Sequence, residues 1–335
     1  VEIARALSFE PKVLMLDEPT SSLEEHEVAQ LFRVLRDLAA RGISILYVTH
    51  KLKEVFRLAD TVTVLRDGRL VGTTPVAATT MDGMVASMVG RELTQMYPPK
   101  AAGRGRELLR VDGLTLHGLF RDVSFVLHER EILGMAGLVG AGRSEVAQTI
   151  FGARLKDAGR VFLNGAEVAV DSPAAAVRHG LAYLPEDRKR LGLFPKMNVV
   201  ANLVAANLPE HTRHGLLSRR VILSQAAKDV ATLRVRTPSL RQRCSLLSGG
   251  NQQKLLIGRW LQTHPRVLIA DEPTRGIDIG AKAEIHTLLR DLANQGIGIL
   301  VISSELPEIL GMCDRILVLH EGRLAGELPA RDASE

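Results

Sequence analysis

The chain has 335 residues, of which 46% are hydrophobic and 24% charged, and a formal net charge of +5. This composition is typical of a globular protein with room for at least two cores. No run approaches the ~18 apolar residues of a membrane span, and no secretory leader is visible. Two distant cysteines argue against a disulfide framework or a zinc site. The scattered basic residues indicate a solvated surface rather than a nucleic-acid-binding patch.

Residues 1–95 alternate between extended and helical patterns. The predicted elements are strands at Val13–Leu16, Ile43–Thr49 and Thr61–Leu65 and a helix at about Glu25–Ala40. Short apolar runs between helical periods favour βαβ units and a parallel sheet. Residues 96–107 carry Pro-Pro, small residues and basic charge, and they are predicted to form a linker.

A second unit is predicted from Leu108 to the end of the chain. Its predicted elements are strands near Leu108–Val111, Val123–Leu127 and Glu131–Ala136, a helix from Arg143, a hairpin at Asn164–Gly165 and a helix start at Ser172–Pro173. Residues 200–262 are rich in helical patterns and predict a helical subdomain.

The two units share a repeated sequence. Val13–Thr20 (VLMLDEPT) returns as Val267–Thr274 (VLIADEPT), so that Asp17 matches Asp271, and the register holds without a gap for about seventy residues. The second copy has a long upstream half that the first lacks, and the chain begins at Val1 inside a helical pattern. We therefore expect one and a half copies of one domain, with the first copy cut at its N-terminus.

Each repeated strand ends in two carboxylates. In the pairs Asp17-Glu18 and Asp271-Glu272, the first carboxylate is expected in the shell of a magnesium ion. The second is a candidate general base for an attacking water. A pair that merely caps a turn before proline is the alternative, and the recurrence in register makes it weak.

A glycine-rich string, GLVGAGRS, follows an apolar strand and opens a helix at Gly137–Ser144. Such loops bring backbone N–H groups close to phosphates at a helix N-terminus. The candidate nucleotide-binding residues are Gly137, Gly140, Ala141, Gly142, Arg143, Ser144 and Glu145. Ser144 is expected to bind magnesium, and Arg143 stands where a lysine is usual, although the two cations are not interchangeable. A simple tight turn is the alternative.

A third string, LSGGNQQK, opens another predicted helix with Ser248, Gly249 and Gly250. Its backbone donors suit an anion. An ordinary helix cap is the alternative, and the position of the string just upstream of an Asp-Glu strand makes it informative.

Together these strings resemble the Walker A, signature and Walker B motifs of ABC-type ATPases. The tandem layout, PEDRK (Pro185–Lys189) and DEPTRGIDIGAK (Asp271–Lys282) are similar to the duplicated ATP-binding subunits of bacterial ribose-, galactose- and xylose-type importers. The resemblance implies an α/β P-loop NTPase fold with a parallel-sheet core, an antiparallel β subdomain and a helical subdomain. It implies the C-terminal part of one ABC domain at 1–95 and a complete domain at 108–335.

The resemblance also implies a function. It predicts an ATPase that uses ATP and Mg²⁺ and lies peripherally on the cytoplasmic face of the inner membrane. Its expected partners are two membrane permease subunits and a periplasmic sugar-binding protein, with its own two ATPase domains paired. Glu186 is expected where related domains sense the γ-phosphate near the metal, unless it belongs to an exposed charged loop. This chain alone is expected to be inactive.

The repeats differ at one position. His50 is matched by Ser304, and a histidine can hold the terminal phosphate where a serine does so poorly. His26 and His211 are interpreted as surface residues. The resemblance then predicts one competent site, with Asp17, Glu18 and His50 facing the second signature, and one degenerate site with Arg143, Asp271, Glu272 and Ser304. A nucleoside importer, a ribosome-associated tandem ATPase and a DNA-repair ATPase are the alternatives.

Overall fold

The computed structural model describes residues 5, 11–20, 23, 25–49, 51–66, 68–89, 97–100, 103–213 and 216–333. The chain divides into two compact units, Val1–Gln95 and Met96–Glu335, called unit 1 and unit 2. None of the helices in the described ranges combines the length and the apolar character that a membrane crossing requires.

Unit 1 alternates strands and helices. Its elements are β1 (Val13–Asp17), α1 (Glu25–Ala40), β2 (Ser44–Val48), α2 (Leu52–Leu58), β3 (Thr61–Arg66), β4 (Arg69–Pro75) and α3 (Met81–Val89). Strands β1 and β2 pair in parallel, as the helical crossover between them requires, and β3 and β4 form a hairpin. Leu31, Leu35 and Leu38 form an apolar stripe on α1 that packs with Leu14 and Leu16 of β1.

One face of the β1–β2 pair is uncovered among the residues that the structure describes. Val13 and Met15 of β1 are 58% and 71% exposed, and Leu46 and Val48 of β2 are 51% and 48% exposed. Parallel sheets are normally covered on both faces. This apolar face, defined by Val13, Met15, Leu46 and Val48, is called the open face below.

Unit 2 contains three sheets and seven α-helices in its described residues. Its strands are β5 (Glu107–Leu116), β6 (Phe120–His128), β7 (Ile132–Ala136), β8 (Ala158–Leu163), β9 (Ala166–Glu167), β10 (Leu181–Leu184), β11 (Thr212–Arg213), β12 (Leu216–Leu217), β13 (Val267–Asp271), β14 (Gly298–Ile302), β15 (Arg315–His320) and β16 (Arg323–Pro329). Its helices are α4 (Arg143–Ile150), α5 (Pro173–Arg178), α6 (Val199–Val204), α7 (Arg219–Thr232), α8 (Gly249–Leu261), α9 (Ile279–Asn294) and α10 (Leu306–Met312).

The central sheet of unit 2 has the order β10-β13-β14-β7-β15-β16. Its first five strands are parallel, and β16 pairs antiparallel with β15. Every residue of β13 and β14 is buried, which explains why these strands are apolar runs rather than alternating patterns. A four-stranded antiparallel sheet, β6-β5-β8-β9, and a helical region that contains α6, α7 and α8 complete the unit.

The repeated sequence has the same local structure in both units. The elements β1, α1, β2, α2, β3 and β4 match β13, α9, β14, α10, β15 and β16 at a spacing of 254 residues at both ends. The register irregularity after Val64 recurs after Val318. Glu18 and Glu272 both have positive φ, 46° and 48°, and their N–H groups donate to the carbonyls of Val48 and Ile302 at 2.9 and 2.8 Å.

The paired strands β13 and β14 of unit 2 are covered on the face that is open in β1 and β2 of unit 1. The unit 2 counterparts of the open face are Val267, Ile269, Leu300 and Ile302, and all four are buried at 0 or 1% exposure. They pack in one core with side chains from the upstream half of unit 2, including Leu133, Met135, Val146 and Ile150.

Two regions of unit 2, around His211 and in the segment 96–107, bear on expectations from the sequence. The prediction that His211 is a surface residue is wrong. It is 5% exposed, because its Nε2 lies 2.9 Å from Gln262 Oε1 inside the helical region. In the segment predicted as a linker, β5 already begins at Glu107, and the Tyr97 ring stacks on His286 with centroids 5.1 Å apart.

Candidate functional site

The predicted residues of unit 2 converge at one edge of its central sheet. Strands β7, β10, β13 and β14 are parallel, so their carboxyl ends lie at the same edge. The loop 137–142 follows β7, Glu272 follows β13, Ser303 follows β14 and Glu186 follows β10 closely. Ligands in such sheets bind outside the carboxyl ends of the strands.

The backbone conformation of the glycine-rich loop depends on its glycines. Gly140 and Gly142 have φ of 83° and 94°, a region that favours glycine. A Cβ on Gly137 would lie 2.4 Å from the Leu319 carbonyl oxygen, whereas one on Gly140 would meet nothing within 4 Å. Ala141 is buried beneath the loop. The loop is therefore packed on one side and open on the other, directly before α4, an arrangement that suits a phosphate.

Asp271 is held by two hydroxyl groups. The hydroxyl of Ser144 donates to Asp271 Oδ1 at 3.1 Å, and that of Tyr183 donates to Oδ2 at 3.0 Å. Burial raises the pKa of Asp271, and the hydrogen bonds from Ser144 and Tyr183 and the charge of Arg143 oppose this rise. Burial and the neighbouring Asp271 raise the pKa of Tyr183, so the phenol remains a donor.

Arg143 turns into the site and is buried. Its Nη1 donates to the Ser303 carbonyl at 2.6 Å, and its Nη2 lies 4.0 Å from Glu272 Oε1. Burial raises the pKa of Glu272, against a hydrogen bond from Ser304 and the charge of Arg143. A carboxylate with a raised pKa is a better proton acceptor than an exposed one. Glu145 lies in the first turn of α4, where its charge acts on Asp271.

The donors at this edge fit magnesium bound with a nucleotide. A hydroxyl and a carboxylate are hard oxygen ligands, and Mg²⁺ commonly takes one or two such protein ligands together with phosphate oxygens and waters. Within the described ranges, no three His, Cys, Asp or Glu side chains come close enough to form a protein-only cage. Ser144 and Asp271 supply a hydroxyl and a carboxylate, which are the kinds of protein ligand that such a site uses.

The predicted signature string lies at the start of α8. Ser248 occupies the N-cap position and is exposed, and its Oγ accepts a hydrogen bond from Asn251 Nδ2 at 2.8 Å. Gly249 is half-buried and Gly250 is buried. The exposed tip of this string remains available to a ligand or partner.

Two adjacent glycines at this helix start make a matched pair of mutants. A Cβ on Gly250 would lie 2.4 Å from Ala281 Cβ in α9. We expect Gly250→Ala to lower the free energy of unfolding by about 1–3 kcal/mol, the usual cost of overpacking, as measured by urea unfolding. The control is Gly249→Ala, whose Cβ would lie 2.7 Å from Arg188 Nη2 and 3.1 Å from the Gly276 carbonyl oxygen. We expect a smaller loss of stability there, because the closest contact is with the end of a long side chain. Equal stability of the two variants would contradict the packing described here.

A cavity of about 390 Å³ adjoins the same helix start. Arg188, Lys189, Cys244, Gly249 and Gln252 contribute to its lining. Arg188 donates to the carbonyls of Arg275 and Gly276 at 2.6 and 3.0 Å, so the cavity lies between the PEDRK loop and the helix start. None of the described residues 137–144 lines it, and it is therefore separate from the glycine-rich loop.

The other predicted site residues lie in unit 1 and in the loop after β10. In unit 1, Asp17 ends β1 and is exposed, and Glu18 is half-buried. His50 lies outside the described residues. The carboxylate of Glu186 pairs with Arg275 in unit 2. Sequence reasoning missed Tyr183, and only its place at the end of an apolar strand before Pro185 could have pointed to it.

Comparisons with known proteins agree with this geometry. The family model described as "ABC transporter" matches residues 120–275. A putative ribose/galactose/methyl galactoside import ATP-binding protein of Ralstonia nicotianae is 52% identical over 100% of this chain, which spans 65% of that protein. A similarly named protein of Rhizobium meliloti is 50% identical over 100% of this chain, which spans 66% of it.

The chain belongs to the ABC transporter family.

Solved structures show the same fold for this ABC family member. An ATP-binding subunit of an ABC transporter superposes with a TM-score of 0.55 at 26% identity, covering 67% of this chain and 91% of that one. A nucleotide-free ATP-binding cassette has a TM-score of 0.59 at 23% identity, covering 67% and 92%. The P-loop α/β fold predicted from the motifs is thereby confirmed. The chain spans about two thirds of the length of the curated relatives, 65% and 66%.

Proposed function

We propose that this chain is the ATP-binding subunit of an ABC importer that takes up monosaccharides. The observation that carries the proposal is the contact of Ser144 with Asp271, 3.1 Å apart beneath the open glycine-rich loop. The class of substrate is supported by the relatives, which are named as import proteins for ribose, galactose and methyl galactoside.

We propose further that unit 1 is the second half of another ABC domain, so that the chain holds one and a half copies. The open face supports this, because its four side chains match the four buried side chains of β13 and β14. In unit 2 those side chains pack against the half that carries the glycine-rich loop. The domain bounds implied are 1–95 and 108–335, with 96–107 between them.

The residues of unit 2 would bind nucleotide in defined roles. The backbone N–H groups of Gly140–Ser144 and the Arg143 guanidinium would hold the phosphates. Ser144 and Asp271 would hold Mg²⁺, which supplies charge neutralisation at the β- and γ-phosphates when bound. Glu272 would accept the proton of an attacking water, but Ser304 replaces the histidine that would orient the phosphate. This site would therefore bind ATP and hydrolyse it slowly.

The competent site of the proposal uses the other repeat. Glu18 would act as the general base, Asp17 would serve the metal, and His50 would contact the terminal phosphate. Ser248, Gly249 and Gly250 would complete that site through pairing of the two ATPase domains. The partners would be two permease subunits and a periplasmic sugar-binding protein, with the chain on the cytoplasmic face of the inner membrane.

The proposal is tested by titrating the purified chain with Mg²⁺ and a non-hydrolysable ATP analogue in a calorimeter. We expect one nucleotide per chain, lost in Asp271→Asn and retained in the surface control Asp112→Asn, because Asp112 lies on the antiparallel sheet, where it pairs with Arg160. We expect negligible hydrolysis by the chain alone. Absence of binding, or binding unaffected by Asp271→Asn, would overturn the nucleotide assignment. Co-purification with ribosomes instead of a permease would overturn the importer assignment.

A further inference from the structure

A buried glutamate in α10 has no role in the site described so far. Glu308 is 2% exposed, and its carboxylate receives three hydrogen bonds. Thr274 Oγ1 and His286 Nε2 lie 2.8 and 2.7 Å from Oε1, and Ser303 Oγ lies 2.6 Å from Oε2. A buried carboxylate is retained only where such partners compensate its desolvation.

Two of the three donors, Thr274 and Ser303, belong to the segments that hold the candidate base, and the third, His286, lies on α9. Thr274 lies two residues after Glu272, in the turn that follows β13. Ser303 follows β14 directly. Its carbonyl accepts a hydrogen bond from Arg143, and its neighbour Ser304 forms a hydrogen bond with Glu272. The Ser303 hydroxyl also accepts from the Glu305 N–H at 3.0 Å. The carboxylate of Glu308 therefore fastens the turn after β13 to the segment after β14.

The same arrangement recurs in unit 1 with a different third donor. Glu54 accepts from Thr20 at 2.6 Å and from Thr49 at 3.2 Å, the counterparts of Thr274 and Ser303. Its third donor is the Tyr47 hydroxyl at 2.7 Å. Lys51 Nζ also forms an ion pair with Glu54 Oε1 at 3.4 Å, and Glu305 stands in the place of Lys51 in unit 2. In the repeat register, Val301 stands in the place of Tyr47 and Phe32 in the place of His286.

The two repeats use different third donors to the glutamate, so the glutamate and its two hydroxyl donors are the shared part of the arrangement. Both repeats keep the glutamate and the two hydroxyl donors, and each supplies the third donor from a different element, β2 in unit 1 and α9 in unit 2. Burial alone would raise the pKa of each carboxyl. The hydrogen bonds to Glu54 and Glu308, together with the electrostatic effects of Lys51 and His286, outweigh burial and lower the pKa of both carboxyls, so each remains an acceptor.

In unit 2 the third donor is itself fixed by the segment that precedes β5. The Tyr97 ring lies 5.1 Å from the His286 ring at an interplanar angle of 24°. Lys100 Nζ donates to the Leu310 carbonyl of α10 at 3.0 Å. These contacts hold the imidazole beside Glu308 and anchor the segment 97–100 on α9 and α10.

We propose that Glu308 is a positioning residue, which fixes the turn that carries Glu272 against the end of β14, and that Glu54 does the same for Glu18. The importance of that position for ATP hydrolysis rests on the proposed function. The hydrogen bonds of Glu308 to the two segments do not depend on the proposed function, and this tether is tested without nucleotide.

The test measures amide hydrogen exchange of unit 2 by mass spectrometry in three variants. Glu308→Gln removes the charge at nearly constant volume. His286→Phe introduces the unit 1 residue and removes the third donor. His286→Phe/Val301→Tyr places a phenol hydroxyl at the position of Tyr47 and so supplies the third donor from β14 instead of α9. We expect the first two to speed exchange at 272–276 and 303–305 by about tenfold or more, as loss of a charged hydrogen bond implies, with β7 unchanged. The double variant should return both segments to within about threefold of the unaltered chain.

Other outcomes overturn the inference. Faster exchange throughout unit 2, in proportion to a loss of global stability, would make Glu308 a general core residue. Unchanged exchange at 272–276 would show that the tether does not hold that turn. If the unit 2 variants fail to fold, Tyr47→Phe removes a single hydroxyl in unit 1 and must speed exchange at 18–20. Nucleotide binding by the unaltered chain is a separate measurement, so failure of the proposed function is recognised independently.

Discussion

Replacing Glu18 by glutamine should lower the rate of ATP hydrolysis by about 10²- to 10⁴-fold, the usual contribution of a general base. The measurement requires the longer protein that the proposal implies, in which a half-domain with its own glycine-rich loop precedes unit 1. Glu18 has the backbone conformation of Glu272, with φ of 46° against 48°, so both glutamates are presented in the same way. Glutamine keeps the size of the side chain and removes the proton acceptor.

The matched control is Glu272→Gln in the same protein, which should retain most of the activity. The difference arises from the surroundings of the two carboxylates, because Ser304 stands where unit 1 has His50. If Glu272→Gln abolished hydrolysis and Glu18→Gln did not, the assignment of the competent repeat would be reversed. Equal losses would show that both repeats carry out the reaction.

Arg143→Ala should weaken the binding of Mg²⁺ and an ATP analogue to this chain by about 10- to 150-fold. This range corresponds to the loss of a charged hydrogen bond of about 1.5–3 kcal/mol. The guanidinium is buried at the end of the glycine-rich loop, 2.6 Å from the Ser303 carbonyl and 4.0 Å from Glu272. In the proposed function this guanidinium would hold phosphate oxygens. Calorimetric titration of the variant gives the change in Kd.

Two further variants make this result interpretable. Arg143→Lys keeps the positive charge and should bind within about tenfold of the unaltered chain, since an ammonium group is a normal phosphate partner. Arg154→Ala removes an exposed arginine whose Nε donates to Gln148 Oε1 at 2.6 Å, and it should bind normally. If Arg143→Ala bound as tightly as the unaltered chain, the guanidinium would have no part in holding nucleotide.

The sequence predicted those features that depend only on neighbouring residues. Glu25–Ala40 is a helix at the predicted bounds, because its apolar residues follow the helical period and its neighbours are strands. Ser172 caps α5 as predicted, since its hydroxyl accepts from the Ala175 N–H at 3.3 Å. The glycine-rich loop and the Asp-Glu strand ends could be found because their residue types and spacing recur wherever phosphates are bound.

Contacts that depend on distant segments could not be predicted. Tyr183 reaches Asp271 across 88 positions of sequence, and Arg143 reaches Ser303 across 160. In neither pair does the sequence around one residue indicate which residue it contacts. The prediction for His211 was wrong for the same reason, because His211 is buried beside Gln262, which follows α8 and lies 51 positions away in sequence. Glu308 resembles an ordinary surface glutamate in sequence, and only the packing of α10 against β7 places it in the interior.

The open face has a practical consequence for anyone who purifies this polypeptide. Val13, Met15, Leu46 and Val48 form an exposed apolar patch on a short parallel sheet, and patches of this kind promote self-association and aggregation. Concentrated samples should therefore form larger species on size-exclusion chromatography. Lysine or threonine at two of these positions would improve solution behaviour, but in the longer protein that we propose the same change would disrupt the surface on which the other half of the domain would pack.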